Sequence, residues 1–139
     1  MLIIVDHKNK LIIPCDLKTS FKPEYDFYKS FIEWGYWIQS QLYSEIIRQN
    51  IIKDDYFKDF KIADYRFIVV CNKTRNPKVW EFKHTKSETD LILGNVKLPN
   101  WRNIVKNLDY YLKYKPKSPI GIEETEINCL DKWIEHVGE

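Results

Sequence analysis

Asp16 and Lys18 stand two residues apart at the end of an apolar run, Leu11-Ile12-Ile13-Pro14-Cys15, with Leu17 between them and Thr19 after them. Extended chain alternates its side chains, so the carboxylate and the amine fall on one face of a strand. Further along, Gln39 and Tyr43 are spaced so that a helix makes them neighbours on one stripe. A carboxylate and an amine on a strand, backed by an amide and a phenol on a helix, suit phosphodiester hydrolysis. That reaction needs a strong nucleophile and neutralisation of phosphate charge, and a divalent metal supplies both. Magnesium (Mg2+), or manganese in its place, prefers oxygen ligands. Asp16 offers a carboxylate and the Leu17 carbonyl a further oxygen. Lys18 is placed to hold the attacking water or to steady developing negative charge. Thr19 is placed to contact a phosphate or to end the strand.

The surrounding elements must position these groups. Residues 2–5 and 11–15 are apolar runs flanking the polar turn 6–10, which predicts a β-hairpin. Pro14 lacks an N–H, so its part of the second strand is expected at an edge or bulge. Residues 19–29, with Pro23, read as a loop. Ser30 and Glu33 fit a capping box opening a helix over about 31–52, with Phe31, Trp34, Ile38, Leu42 and Ile46 as its inward stripe. Trp34 and Trp37 are assigned to the core. Gly35 inside that helix costs about 1 kcal/mol against alanine. Residues 53–64 form a charged connection, 65–71 a strong strand, 72–77 a polar turn and 78–82 a returning strand. Residues 83–99 are weakly patterned. Asn100 is placed to cap a helix over 101 to about 113, with Trp101, Ile104, Val105, Leu108 and Leu112 inward. Two prolines within 115–119 break it, and a last helix is expected over about 123–137. The order of hairpin, long helix, hairpin and two helices gives an α+β (α/β) class with a mixed sheet.

The chain has 139 residues, 44% hydrophobic and 30% charged, which fits one globular domain over 1–139. A net charge of +2 is too small to argue nucleic-acid binding by itself, so any such argument needs a local patch. Lys73, Arg75 and Lys78 around a hairpin turn, and the run Lys113, Lys115, Lys117, are the candidates for phosphate contact. Cys15, Cys71 and Cys129 contain no CxxC pair, which argues against a zinc site or a disulfide framework. Cys15 should point away from Asp16, into the core. His7, His84 and His136 have no mutual spacing and are expected at the surface. No leader pattern or run of transmembrane length is present, so the expectation is a cytoplasmic protein without a membrane partner.

The stretch LIIPCDLKT (Leu11 to Thr19), followed by Gln39-x-x-x-Tyr43, resembles the PD-(D/E)xK nuclease superfamily. Within it, the RecB-type and exodeoxyribonuclease VIII-like branch is the nearest in pattern. The likeness spans about residues 2–82, with a helical extension over about 100–137. It implies a restriction-endonuclease-like core, a mixed sheet of two hairpins flanked by helices. It implies that Asp16 holds the metal, that Lys18 assists catalysis, and that Gln39 and Tyr43 orient the site or touch DNA. It also implies a role in phage or bacterial DNA recombination or processing. The family pattern further requires an acidic residue on the preceding strand. Asp6 is the only acid before Asp16. A hairpin turning at Lys8-Asn9 pairs Asp6 with Leu11, five residues along the strand from Asp16, which is roughly 16 Å and too far to share a metal. The second acid is therefore expected in a segment outside this chain. The expected function is a metal-dependent nuclease-like domain, weakly active or inactive alone. The alternative is a non-catalytic DNA-binding or protein-interaction domain that keeps the fold. The third is a structural module whose Asp16–Lys18 pair is only a surface ion pair.

Overall fold

The computed structural model describes residues 1–114. The expected break at 115–119 and the expected helix over about 123–137, with Cys129, His136, Lys115 and Lys117, lie outside the described residues. Met1–Lys106 is one compact unit, and the chain from Asn107 groups separately.

The first hairpin forms as expected. Strand β1 (Leu2–Asp6) pairs antiparallel with β2 (Leu11–Ser20), Asp6 opposite Leu11 and Leu2 opposite Cys15. Asp6 closes its turn: its carboxylate accepts from the Asn9 backbone N–H at 3.0 Å and from the Asn9 carboxamide at 2.8 Å. Strand β2 is twice as long as β1, and its second half is free to pair elsewhere. It does so in parallel, which requires a long crossover. A 3-10 turn at Glu24–Asp26, helix α1 (Phe27–Glu33) and helix α2 (Tyr36–Ile51) supply that crossover. The chain then returns through β3 (Lys61–Ile62), beside Leu11 and Ile12, and β4 (Tyr65–Cys71), beside Cys15 to Ser20. Strand β5 (Pro77–Phe82) folds back antiparallel on β4, giving the order β1-β2-β4-β5. The protein is therefore mixed α+β, with a mixed sheet flanked by helices.

Several local expectations are corrected. Pro14 is buried in an interior strand rather than at an edge. It is tolerated because on one side it faces the gap between β3, whose last partner is Ile12, and β4, whose first is Cys15. No ladder N–H is missed there. The long helix is two helices. Ser30 lies inside α1 and caps nothing. The chain breaks at Trp34 and Gly35, where Gly35 adopts φ +65 before α2 begins. Helix α1 starts earlier than expected because Phe27 must join Phe31 in the aromatic core. The break also rotates the buried stripe of α2. Trp34 and Ile46 are exposed, whereas Trp37, Ser40, Gln41, Ser44 and Ile47 are buried. The weakly patterned region holds a small hairpin, β6 (Leu91–Leu93) with β7 (Val96–Leu98). Asn100 does cap α3 (Trp101–Tyr114), its side-chain carbonyl accepting from the Arg102 N–H at 2.9 Å. Val105, Leu108 and Leu112 are exposed instead of inward.

Helices α1 and α2 cover one face of the sheet. An aromatic core there joins Phe27, Phe31 and Trp37 to Tyr65, Phe67 and Phe82, and a second, aliphatic core joins Ile12 and Ile62 to Ile47 and Phe60. On the opposite face Leu2, Ile4, Leu17 and Val79 are exposed. Cys15 lies on that face, yet it is buried, a small side chain between Leu2 and Arg66 on the neighbouring strands.

The break between α1 and α2 depends on Gly35. A Cβ at this position would meet Ile38 Cδ1 at 3.4 Å, and the backbone is left-handed. Gly35→Ala should therefore cost about 1–2 kcal/mol. A lowered urea midpoint with an unchanged denaturant slope is the expected result.

Candidate functional site

The parallel register sets the site. Asp16 lies level with Phe67 and Lys18 with Val69, so both side chains stand on the face that α2 covers. The Lys18 ammonium meets the Asp16 carboxylate at 2.7 Å. From above, the Gln39 amide donates to the same carboxylate oxygen at 2.8 Å, and its carbonyl accepts from Lys18 at 3.0 Å. The three side chains close a ring of hydrogen bonds. The Tyr36 ring covers the Lys18 ammonium at 4.1 Å from its centroid. The result is a tightly shielded pair, 13% and 19% exposed at the Asp16 and Lys18 side chains.

Burial works to raise the Asp16 carboxyl. The hydrogen bonds from Lys18 and Gln39 and the adjacent positive charges outweigh it and hold the group below the usual carboxylate range. Beside this ring, Tyr65 is fully buried, and its hydroxyl has no hydrogen-bond partner among the described residues. Burial pushes its phenol well up, and the Asp16 carboxylate adds to the effect.

The structure thus brings together Asp16, Lys18 and Gln39. Tyr43 is half-buried and packs against the aromatic core. Leu17 and Thr19 alternate to the opposite face, level with Ile68 and Val70, and both are exposed. Thr19 therefore points away from the carboxylate. Asp6 stays at the far end of the hairpin, committed to Asn9. Sequence reasoning missed two members. Tyr36 precedes Gln39 by one helical turn and so shares its stripe, a signal readable in the sequence. Tyr65 heads a strand with Phe67 on the same parity, but only the pairing of β4 with β2 brings it near Asp16. His7 bonds the Tyr56 hydroxyl at 3.0 Å at the surface, and the backbone carbonyl of His84 accepts from Gln41 at 3.1 Å.

Among the described residues, no three His, Cys, Asp or Glu side chains gather into a group able to hold a metal. The ring contains one carboxylate, and its Oδ2 already serves an ammonium and an amide. Magnesium demands a near-octahedral oxygen shell, usually with more than one carboxylate or phosphate contributing. The residues present do not complete such a shell. Comparisons with protein-family models, with curated proteins and with solved structures find no match in any of the three.

The lowered Asp16 carboxyl makes this ring pH-sensitive. Its contribution is complete above the unfolded carboxyl value, about 4, and is lost as pH falls through the lower folded value. Asp16→Asn should cost about 1–2 kcal/mol near neutral pH. The difference from wild type should shrink as urea titrations are taken down to about pH 2.

Proposed function

We propose that this protein is a DNA-processing domain of the PD-(D/E)xK type, with a restriction-endonuclease-like core, whose own residues support DNA binding better than hydrolysis. The observation that carries this reading is the ring of Asp16, Lys18 and Gln39. A carboxylate and an amine two residues apart on a central strand lie under a helix that contributes a glutamine four residues before a tyrosine. This supports the nuclease-type motif over a chance ion pair, because the amide from α2 reaches both charged groups. The same closure argues for weak chemistry. Asp16 is occupied by Lys18, and among the described residues it belongs to no group of three His, Cys, Asp or Glu side chains able to hold a metal. An incoming Mg2+ or Mn2+ ion would have to displace the ammonium and find its remaining charged ligands elsewhere, on DNA phosphates or on another segment. Lys18, 19% exposed at its side chain, is the group nearest to hand for a phosphate oxygen.

The test uses the purified chain with linear duplex and single-stranded DNA, with magnesium or manganese present. DNA binding that weakens as salt rises is expected, with little or no degradation. Robust metal-dependent degradation, abolished by Asp16→Ala, would overturn the weak-chemistry half of the reading. No DNA binding at low salt would overturn the rest and leave Asp16 and Lys18 as a structural pair.

A further inference from the structure

We propose that the groove between α1 and the edge strand β5 binds single-stranded DNA. One base enters an aromatic pocket there, and the flanking phosphates lie on the cations of the β4–β5 turn. The inference rests on the DNA-processing reading above and names the form of nucleic acid that such a domain takes.

The pocket has a volume of about 140 Å³, and its walls include Phe27, Tyr28, Phe31, Trp80 and Phe82, with Glu81 beside them. A dry cavity of about 150 Å³ holds a benzene ring, so this space suits one six-membered base ring. Tyr28 lines the pocket and is half-exposed, with the Lys29 ammonium 5.7 Å from its ring centroid. Strand β5 ends the path of the main sheet on this side, so a chain can run along it without displacing a neighbouring strand.

The charges complement the rings. Lys73, Arg75 and Lys78 surround the turn between β4 and β5, and among the described residues none of the three pairs with a carboxylate. Two hydrogen bonds hold that turn and the pocket wall to the segment leading into α1. The Thr74 hydroxyl donates to the Glu24 carboxylate at 3.4 Å, and the Trp80 indole donates to the Glu24 carbonyl at 3.0 Å. The Lys78 ammonium lies 5.0 Å from the centroid of the Trp80 ring, so a cation stands against the pocket wall itself. Aromatic faces and unpaired cations on one ridge are what a flexible single strand requires, since its bases are free to stack and its phosphates are free to follow. A duplex keeps its bases inside the helix and reaches such a pocket only by flipping one out, at a cost of a few kcal/mol.

Two variants separate this role from a structural one. Tyr28→Ala removes a half-exposed ring from a helix and keeps a good helix former. Arg75 adopts a left-handed φ of 58, so Arg75→Gly removes the charge while relieving the backbone. Fluorescence anisotropy, run with the full chain and without divalent metal, compares labelled oligothymidine, oligouridine of equal length and a blunt DNA duplex. The expected result is single-strand binding about ten-fold tighter than duplex binding, weakened about ten-fold in Tyr28→Ala. In Arg75→Gly the slope of log affinity against log salt should fall by about 0.7, the value for one phosphate contact on a single strand. Both variants should unfold thermally as wild type does. Oligouridine bound more tightly than oligothymidine overturns this inference, since the strand bound would then be RNA. Duplex bound as tightly as single strand, or single-strand affinity unchanged in both variants, overturns this inference and leaves the DNA-processing reading standing. Absence of binding to every nucleic acid overturns both.

Discussion

Six consecutive rungs of parallel pairing, from Cys15 with Arg66 to Ser20 with Cys71, constrain almost everything else in the unit. Parallel neighbours cannot be joined by a tight turn, so the chain between β2 and β4 must leave the sheet, cross it and return. Here it does so as α1 and α2, which therefore lie over one face. Alternation then decides which side chains of β2 meet the helices. Asp16 and Lys18 do, while Leu17 and Thr19 do not. A slip of one residue in this register would turn the ionic pair out from beneath α2 and bring Leu17 in. The ring around Asp16 is thus a consequence of strand pairing first and of local sequence second.

Shielding a carboxylate and an ammonium from water carries a desolvation cost that their mutual attraction offsets only when the remaining hydrogen-bonding capacity is met. Gln39 meets it at both partners, and the Tyr36 ring covers the ammonium. Tyr65 shows the limit of this arrangement. Its hydroxyl is enclosed beside the ring without a partner among the described residues, which costs free energy in any buried polar group. Gln41 and Ser44, also buried on α2, each leave an oxygen without a partner among the described residues. The aromatic core beside it compensates with dense contacts between Phe27, Phe31, Phe67 and Phe82.

The two ends of the sheet differ in chemistry. At β1, Ile3 and Val5 line an apolar hollow with Ile46, Ile47 and Ile51 of α2. At β5, aromatic rings stand with cations that have no carboxylate partner among the described residues. The difference follows from what packs beside each edge: the aliphatic C-terminal half of α2 on one side, and the phenylalanine- and tyrosine-rich α1 on the other. No helix among the described residues is long and apolar enough to cross a membrane.

Much of the site could be read along the chain because its parts obey short periods. The i, i+2 spacing of Asp16 and Lys18, the pairing of Asp6 with Leu11 and the cap at Asn100 are all local, and all appear in the fold. The long-helix reading failed where a local signal competed with packing. Ser30 and Glu33 look like a capping box, but Phe27 is drawn into the aromatic core and starts the helix earlier. Gly35 then ends it with a left-handed turn that a glycine permits without requiring. Tyr36 was within reach of helical periodicity. Tyr65 was not, because its nearness to Asp16 depends on which strand lies beside β2. The sequence by itself determined the alternating strands, the helix-forming segments and the acid–amine spacing, since each depends on neighbours a few residues apart. Tertiary structure alone decided the parallel register, the rotation of α2, the closure of Asp16 by Gln39 and the aromatic pocket beside β5. Those depend on how distant segments share one buried volume, and no local period encodes that choice.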